Sequence, residues 1–332
     1  MAKRFPIRYG KNKPRPILKD DASESTSGQT GLIISNYGQT LDVEDQAGAI
    51  HRCTVRKKID SLVCGDKVLW VPTSGDEGVI VALQPRQSLL VRPDSSGNLK
   101  PVAANVNQLI VVIAPRPPTD SVYASEQELL FDTSLIDRYL VAAELSGIHA
   151  LVVINKIDLF SADALARTRL YMETYEDIGY EVLFTTTRQA SAGDELSVAL
   201  KGHISVFCGP SGVGKSSLVK LVLPEQEIRI GELSAASGTG RHTTTLTTLY
   251  RLEHGGALID SPGVRDFSLW HVGTAQVARG FVEFQDYAAD CRFADCSHLS
   301  EPGCAVQQAV QSGRISAARL ASYRRIVASL QH

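Results

Sequence analysis

Gly209-Pro210-Ser211-Gly212-Val213-Gly214-Lys215-Ser216 has the residue types and spacing that wrap a phosphate chain, and Ser217 extends it. Glycines let the backbone turn its N–H groups inward, and a helix starting at Lys215 adds the positive end of its dipole. In the pattern G-x-x-x-x-G-K-[ST] the lysine bridges the β- and γ-phosphates and the Ser216 hydroxyl coordinates Mg²⁺. The context fits, with strand-like Ile204–Cys208 running in and helical Lys215–Val222 leaving.

A second constellation, Asn155-Lys156-Ile157-Asp158, follows the apolar run Ala150–Ile154. A carboxylate there accepts both the N1–H and the exocyclic amino group of guanine; adenine would leave the charge unpaired. Lys156 would lie over the base, and Asn155 would brace the phosphate loop. Thr185-Thr186-Thr187, after Val182–Phe184, offers a backbone contact to guanine O6, assigned to Thr186.

Asp260-Ser261-Pro262-Gly263 follows the strand Ala257–Ile259. A D-x-x-G there supplies an aspartate that holds Mg²⁺ through water and a glycine N–H that senses the γ-phosphate; a plain Pro-Gly turn is the other reading. Gly238–Thr245, between this motif and the phosphate loop, is where a switch threonine joins the Mg²⁺ shell. Thr244 is assigned that role, with Thr243 and Thr245 as alternatives. Together these residues imply binding and hydrolysis of GTP; a phosphate-loop kinase or ATPase is disfavoured by Asp158.

The order of the motifs is reversed from that of an ordinary GTPase, where the phosphate loop comes first. Here the guanine motif stands at 155, the phosphate loop at 209 and D-x-x-G at 260. The site still forms if the old ends are joined and new ends opened after the D-x-x-G strand, a circular permutation. The γ-phosphate sensor then leads directly into the C-terminal segment.

Cys291-x4-Cys296-x-His298-x5-Cys304 places three thiolates and an imidazole close together. Four such ligands suit tetrahedral Zn²⁺ with no open position, a structural site. Buried free cysteines or redox thiols are the alternatives.

The elements that must position these groups fall into four stretches. Residues 1–27 form a basic arm: Lys3, Arg4, Arg8, Lys11, Lys13, Arg15 and Lys19 occur with no acid before Asp20. Such an arm suits phosphate-backbone binding or a solvated tail. Residues 28–92 read as a small β-barrel, with strand-like runs Gly31–Ser35, Ile50–Val55, Lys67–Val71 and Gly78–Leu83. An oligonucleotide-binding (OB) barrel with Arg52, Arg56, Lys57 and Lys58 on a basic side fits, and so does an SH3-like barrel. Residues 104–268 alternate apolar runs with amphipathic helices, giving an α/β domain with a mainly parallel sheet. Residues 269–332 are helical around the Cys/His knot, with a helix over Arg314–Leu330.

Composition agrees: 43% hydrophobic, 21% charged and a net charge of −2 indicate an ordinary globular chain. Apolar runs are too short for a transmembrane helix, and the basic N-terminus lacks a signal-peptide core. Clustered Cys/His without such a signal points to a cytoplasmic address.

With these motifs in hand, the chain resembles the ribosome small-subunit-dependent GTPase A family. The resemblance covers Gly28 to Leu330 and rests on five features: the permuted order, GPSGVGKSS at Gly209–Ser217, RHTTT at Arg241–Thr245, DSPGV at Asp260–Val264 and the cysteine cluster. It implies an N-terminal OB barrel, a circularly permuted GTPase domain and a C-terminal zinc module with Cys291, Cys296, His298 and Cys304 as ligands. It also implies a monomer that binds the 30S subunit and its 16S rRNA late in assembly, with hydrolysis stimulated by the subunit and linked to release. Val264 stands where ordinary GTPases often carry a water-positioning glutamine, and a hydrocarbon cannot orient water. His242, on the switch loop, is the catalytic candidate that both chemistry and the resemblance suggest.

Overall fold

A computed structural model describes residues 28–56, 59, 61–94, 97–115, 131–189, 191–223, 247–260 and 272–330. The arm at 1–27, Lys57, Lys58, the switch loop with His242 and Thr244, and Ser261–Val264 lie outside the described residues.

Five strands close an N-terminal barrel: β1 (Gln29–Asn36), β2 (Leu41–Glu44), β3 (Ile50–Val55), β4 (Lys67–Pro72) and β5 (Glu77–Leu83). Pairing runs β1-β2-β3-β5-β4 and back to β1, with β3 parallel to β5 and the other pairs antiparallel. This is OB connectivity, and it replaces the SH3-like alternative. Period-two alternation drives it: in β1, Gly31, Ile33 and Ser35 point inward while their neighbours are half-exposed. Ile33, Leu41, Val43, Cys53, Val68, Trp70 and Ile80 fill the interior. Leu41–Glu44 is a strand that the sequence pattern did not single out.

An antiparallel ribbon, β6 (Leu89–Pro93) and β7 (Leu99–Ala104), leads from the barrel to the α/β region. There β8 (Gln108–Ile113), β9 (His149–Ile154), β10 (Glu181–Phe184), β11 (Ile204–Cys208), β12 (Thr248–Arg251) and β13 (Ala257–Asp260) form a sheet in the order β10-β9-β8-β11-β13-β12. All neighbours in it are parallel except β12 with β13. Every residue of β8 is buried, as expected of a central strand covered on both faces. Helices α1 (Thr133–Ser146), α2 (Ala162–Asp177), α3 (Ala192–Leu200) and α4 (Lys215–Val222) connect the strands. Asp132 caps α1 by accepting from the Ser134 N–H, and Gly147 ends it in the left-handed region.

The sheet continues into the barrel. Ser35 of β1 pairs with Thr248 of β12, and Arg251 forms an ion pair with Glu44.

At the other end, the C-terminal helices Thr274–Gly280 and Ala317–Ser329 pack on α1, and Val277, Phe281, Tyr323 and Ile326 share one core with Ile136 and Leu140. A buried ionic junction fixes this seam. Arg319 and Asp137, each 1% exposed, are paired, and Arg319 also donates to both oxygens of Glu283 at 2.7 and 3.0 Å. Its guanidinium lies 4.4 Å from the Phe281 ring centre, and the Tyr175 hydroxyl donates to Asp137 at 2.8 Å. The C-terminal segment thus grips the two helices that flank the guanine motif in sequence, α1 before it and α2 after it.

Candidate functional site

Parallel strands bring their carboxyl ends to one edge of the sheet, and the motifs sit there because each follows a strand. Gly209 follows β11, Asn155 follows β9, Thr185 follows β10, and Asp260 ends β13. Motifs far apart in the chain therefore meet whatever their order.

Two of them are bonded directly. Asn155, buried, donates its Nδ2 to the Val213 carbonyl at 2.8 Å, and Lys156 donates its Nζ to the Gly212 carbonyl at 2.6 Å. Lys156 itself is left-handed, with φ 59°, which turns the chain sharply after Asn155. Two glycines make the close approach possible. A Cβ on Gly214 would lie 2.4 Å from Asn155 Nδ2, and one on Gly209 would lie 2.2 Å from the Val112 carbonyl oxygen; both have positive φ.

Pro210, Ser211 and Gly212 carry the loop over to Val213 and Gly214, and α4 begins at Lys215. Lys215 donates its Nζ to the carbonyls of Gly209 and Pro210 at 2.5 and 2.7 Å, so the ammonium is held inside the loop's curve. Ser216 and Lys215 line one crevice with Asp260, which brings a hydroxyl and a carboxylate to the same opening. Ser217 follows on the first turn of α4.

Asp158 sits in the short helical turn Ile157–Leu159. The Thr186 hydroxyl donates to its Oδ1 at 2.5 Å, and Arg188 approaches its Oδ2 at 3.1 Å. The Thr186 hydrogen bond is the main cause holding the Asp158 carboxyl below its ordinary range, with Arg188 and Lys156 adding to it. The group is thereby kept ionised and acceptor-only. Thr186 reaches this motif through its side chain, a contact that residue types alone did not disclose. Thr185, by contrast, spends its N–H on the Ile154 carbonyl as an extension of the sheet.

The ligand atoms of Cys291, Cys296, His298 and Cys304 all lie within 4.8 Å of one another. Cys291 Sγ and Cys304 Sγ are 3.6 and 3.4 Å from His298 Nδ1, and 4.0 Å from each other. These separations fit the edges of a tetrahedron around an ion bound at roughly 2.0–2.3 Å. His298 is left-handed (φ 60°), which aims its ring at the thiols. Glu301 keeps the turn in shape: its carboxylate accepts from the N–H groups of Ser297, Leu299 and Ser300 and from the Ser297 hydroxyl. Burial works to raise the Glu301 pKa, but these bonds outweigh it and push the value down to about 2. Tyr323, on the C-terminal helix, donates its hydroxyl to the Ser297 carbonyl at 2.5 Å and so fastens the knot to the helix that Arg319 anchors.

Comparison with known proteins bears on this geometry. The sequence model of the RsgA GTPase family matches residues 83–270. The small ribosomal subunit biogenesis GTPase RsgA of Azotobacter vinelandii is 45% identical over 327 residues, covering 97% of this chain and 92% of that protein. The protein of the same name from Hahella chejuensis is 46% identical over 312 residues, covering 93% and 86%. Among solved structures, YjeQ from Thermotoga maritima superposes with a TM-score of 0.73 at 31% identity, covering 92% of this chain and 99% of that one. YloQ, described as a circularly permuted GTPase, gives 0.72 at 26% identity, covering 94% and 98%.

Proposed function

This chain belongs to the RsgA GTPase family and hydrolyses GTP, and on that premise we propose that it binds the small ribosomal subunit late in its assembly. On this reading the subunit stimulates hydrolysis, and hydrolysis is linked to release. The observation that carries it is the pairing of full-length similarity to relatives named for small-subunit biogenesis with a composite nucleotide site joined by Asn155 and Val213.

The site residues take the following roles. Pro210 shapes the loop without an N–H of its own, the other backbone N–H groups from Gly209 to Ser217 cradle the phosphates, and Lys215 turns from its loop carbonyls to the β- and γ-phosphate oxygens. Asp158 accepts from the guanine N1–H and amino group, Lys156 covers the base, and Ile157 and Thr186 shape the pocket around it. When bound, Mg²⁺ neutralises the charge that develops on the phosphates. Ser216, Asp260 and Thr244 are the groups to hold it, and Gly263 senses the γ-phosphate. His242 orients the attacking water where Val264 cannot, once the subunit presses the switch loop into place. Cys291, Cys296, His298 and Cys304 hold one structural Zn²⁺.

The barrel's basic side, with Arg52 and Arg56, and the N-terminal arm contact 16S rRNA phosphates. The protein acts as a cytoplasmic monomer. Among the described residues no helix is long and apolar enough to cross a membrane.

The test is multiple-turnover GTP hydrolysis with and without purified 30S subunits at fixed salt. A rise in turnover of about a hundredfold or more is expected, in line with general acid–base groups completed by a partner. Turnover unchanged by the subunit would overturn the reading.

A further inference from the structure

Among the described residues, β10 pairs only with β9, so one side of Glu181–Phe184 is a free sheet edge. The bonding pattern says which groups face outward. Thr185 turns both its N–H and its carbonyl toward the β9 side, to Ile154 and Ile157. Backbone groups alternate along a strand, so Leu183 points the same way and Val182 and Phe184 point away.

The edge lies at the bottom of a groove of about 590 Å³. On one wall α2 presents Arg169, Glu173 and Glu176, a stripe at i, i+4 and i+7; on the other α3 presents Glu195. Arg169 is already stacked over the Phe184 ring at 4.2 Å. Three carboxylates therefore face the slot against one engaged cation.

We propose that this edge is a docking strand for an extended, lysine- or arginine-rich segment of a partner protein, which adds to the sheet beside β10. The outward N–H and carbonyl groups of Val182 and Phe184 would supply main-chain bonds. An added strand places alternate side chains on one face roughly 7 Å apart, a spacing that lets successive basic residues reach Glu173 and Glu176. Glu195 would meet those on the opposite face. The same charges repel a phosphate backbone, so the occupant is protein and not nucleic acid. Natural sheet edges are blunted by charge or shortness to prevent indiscriminate pairing. Here the carboxylates do more, since they select the sign of the strand that enters. Ile157 lines the groove as well, so an occupant touches the loop that carries Asp158.

Hydrogen exchange on the full chain tests this with a decapeptide alternating Lys or Arg with Val, against the same peptide carrying Glu at the basic positions. The basic peptide should slow exchange of the Val182 and Phe184 amides by about threefold or more, leaving Leu183 unchanged. The acidic peptide should do nothing. In Glu173→Lys/Glu176→Lys the preference should reverse, with the acidic peptide now protecting the same two amides. No protection in the wild-type chain, or protection that ignores the sign of the peptide or of the groove, overturns the proposal. The experiment needs neither nucleotide nor ribosomal subunit, so its failure is distinct from failure of the GTPase reading.

Discussion

The Asn155 side-chain amide donates to the Val213 carbonyl across 58 residues of sequence, and this bond holds the guanine motif against the phosphate loop. Permuting the chain leaves the contact intact because it depends on β9 and β11, on either side of β8, ending at one edge of the sheet, not on the order in which they are made. Asn155 therefore organises a loop that lies later in the chain.

Gly214 offers a direct probe of that contact. An added Cβ would stand 2.4 Å from Asn155 Nδ2 on a residue with φ 96°, so Gly214→Ala must both strain the backbone and part the two motifs. GDP affinity, read by titration with a fluorescent nucleotide, should fall by about tenfold or more. Gly202→Ala is the control: its φ is also positive and its Cβ meets open space, but it stands before β11 and outside the nucleotide loop, so a conformational cost of about 1–2 kcal/mol falls on stability while GDP affinity holds.

Arg319 tests the seam between the C-terminal segment and α1. Arg319→Ala leaves Asp137 and Glu283 buried without their cation, and breaking a buried pair in that way costs about 3–5 kcal/mol. Thermal unfolding should show a large drop in midpoint. Adding Asp137→Asn and Glu283→Gln should recover part of it, because the stranded charges are then gone. A surface role would predict almost no change in either variant.

Much of this was legible in the sequence because it is local. A phosphate loop, a guanine motif and a Cys/His knot are read from contiguous residues, and short strand-like runs exposed four of the five barrel strands. The strands β2 and β12 were not legible. Each is four residues long with one or more charged residues in it, too short and mixed to read as a strand-like run, and each is fixed by its neighbours in the sheet. The Arg319 junction was hidden for another reason: an arginine in an amphipathic helix reads as a solvated face until Asp137 and Glu283 are brought to it by the fold. Thr186 and Glu301 likewise show their roles only through partners that turns place beside them.

Metal removal should act locally. Chelation leaves three thiols and His298 crowded within 4.8 Å with no ion to hold them, and a segment this small lacks a core of its own. Limited proteolysis should then cut between Cys291 and Cys304, while GDP affinity changes little, since none of the four cluster residues belongs to the proposed nucleotide site. Elemental analysis should give one zinc per chain before treatment. Loss of nucleotide binding in parallel with zinc would contradict the separation of the two sites.

His242 carries the catalytic part of the proposal. Subunit-stimulated turnover in His242→Ala should fall by about a hundredfold or more, the usual contribution of a positioned acid–base group. Nucleotide affinity and the low intrinsic rate should be nearly unchanged. Equal turnover in variant and wild type with subunits present would remove the role.

Asp158 carries the guanine-reading part of the proposal, in a site assembled from permuted motifs. Asp158→Asn tests it most directly, because an amide can donate to the C2 carbonyl of xanthine where a carboxylate can only accept. Affinities for GDP and XDP should be measured in wild type and variant under one buffer. The wild-type preference for GDP should reverse to XDP in the variant. A variant that still prefers GDP would contradict that role.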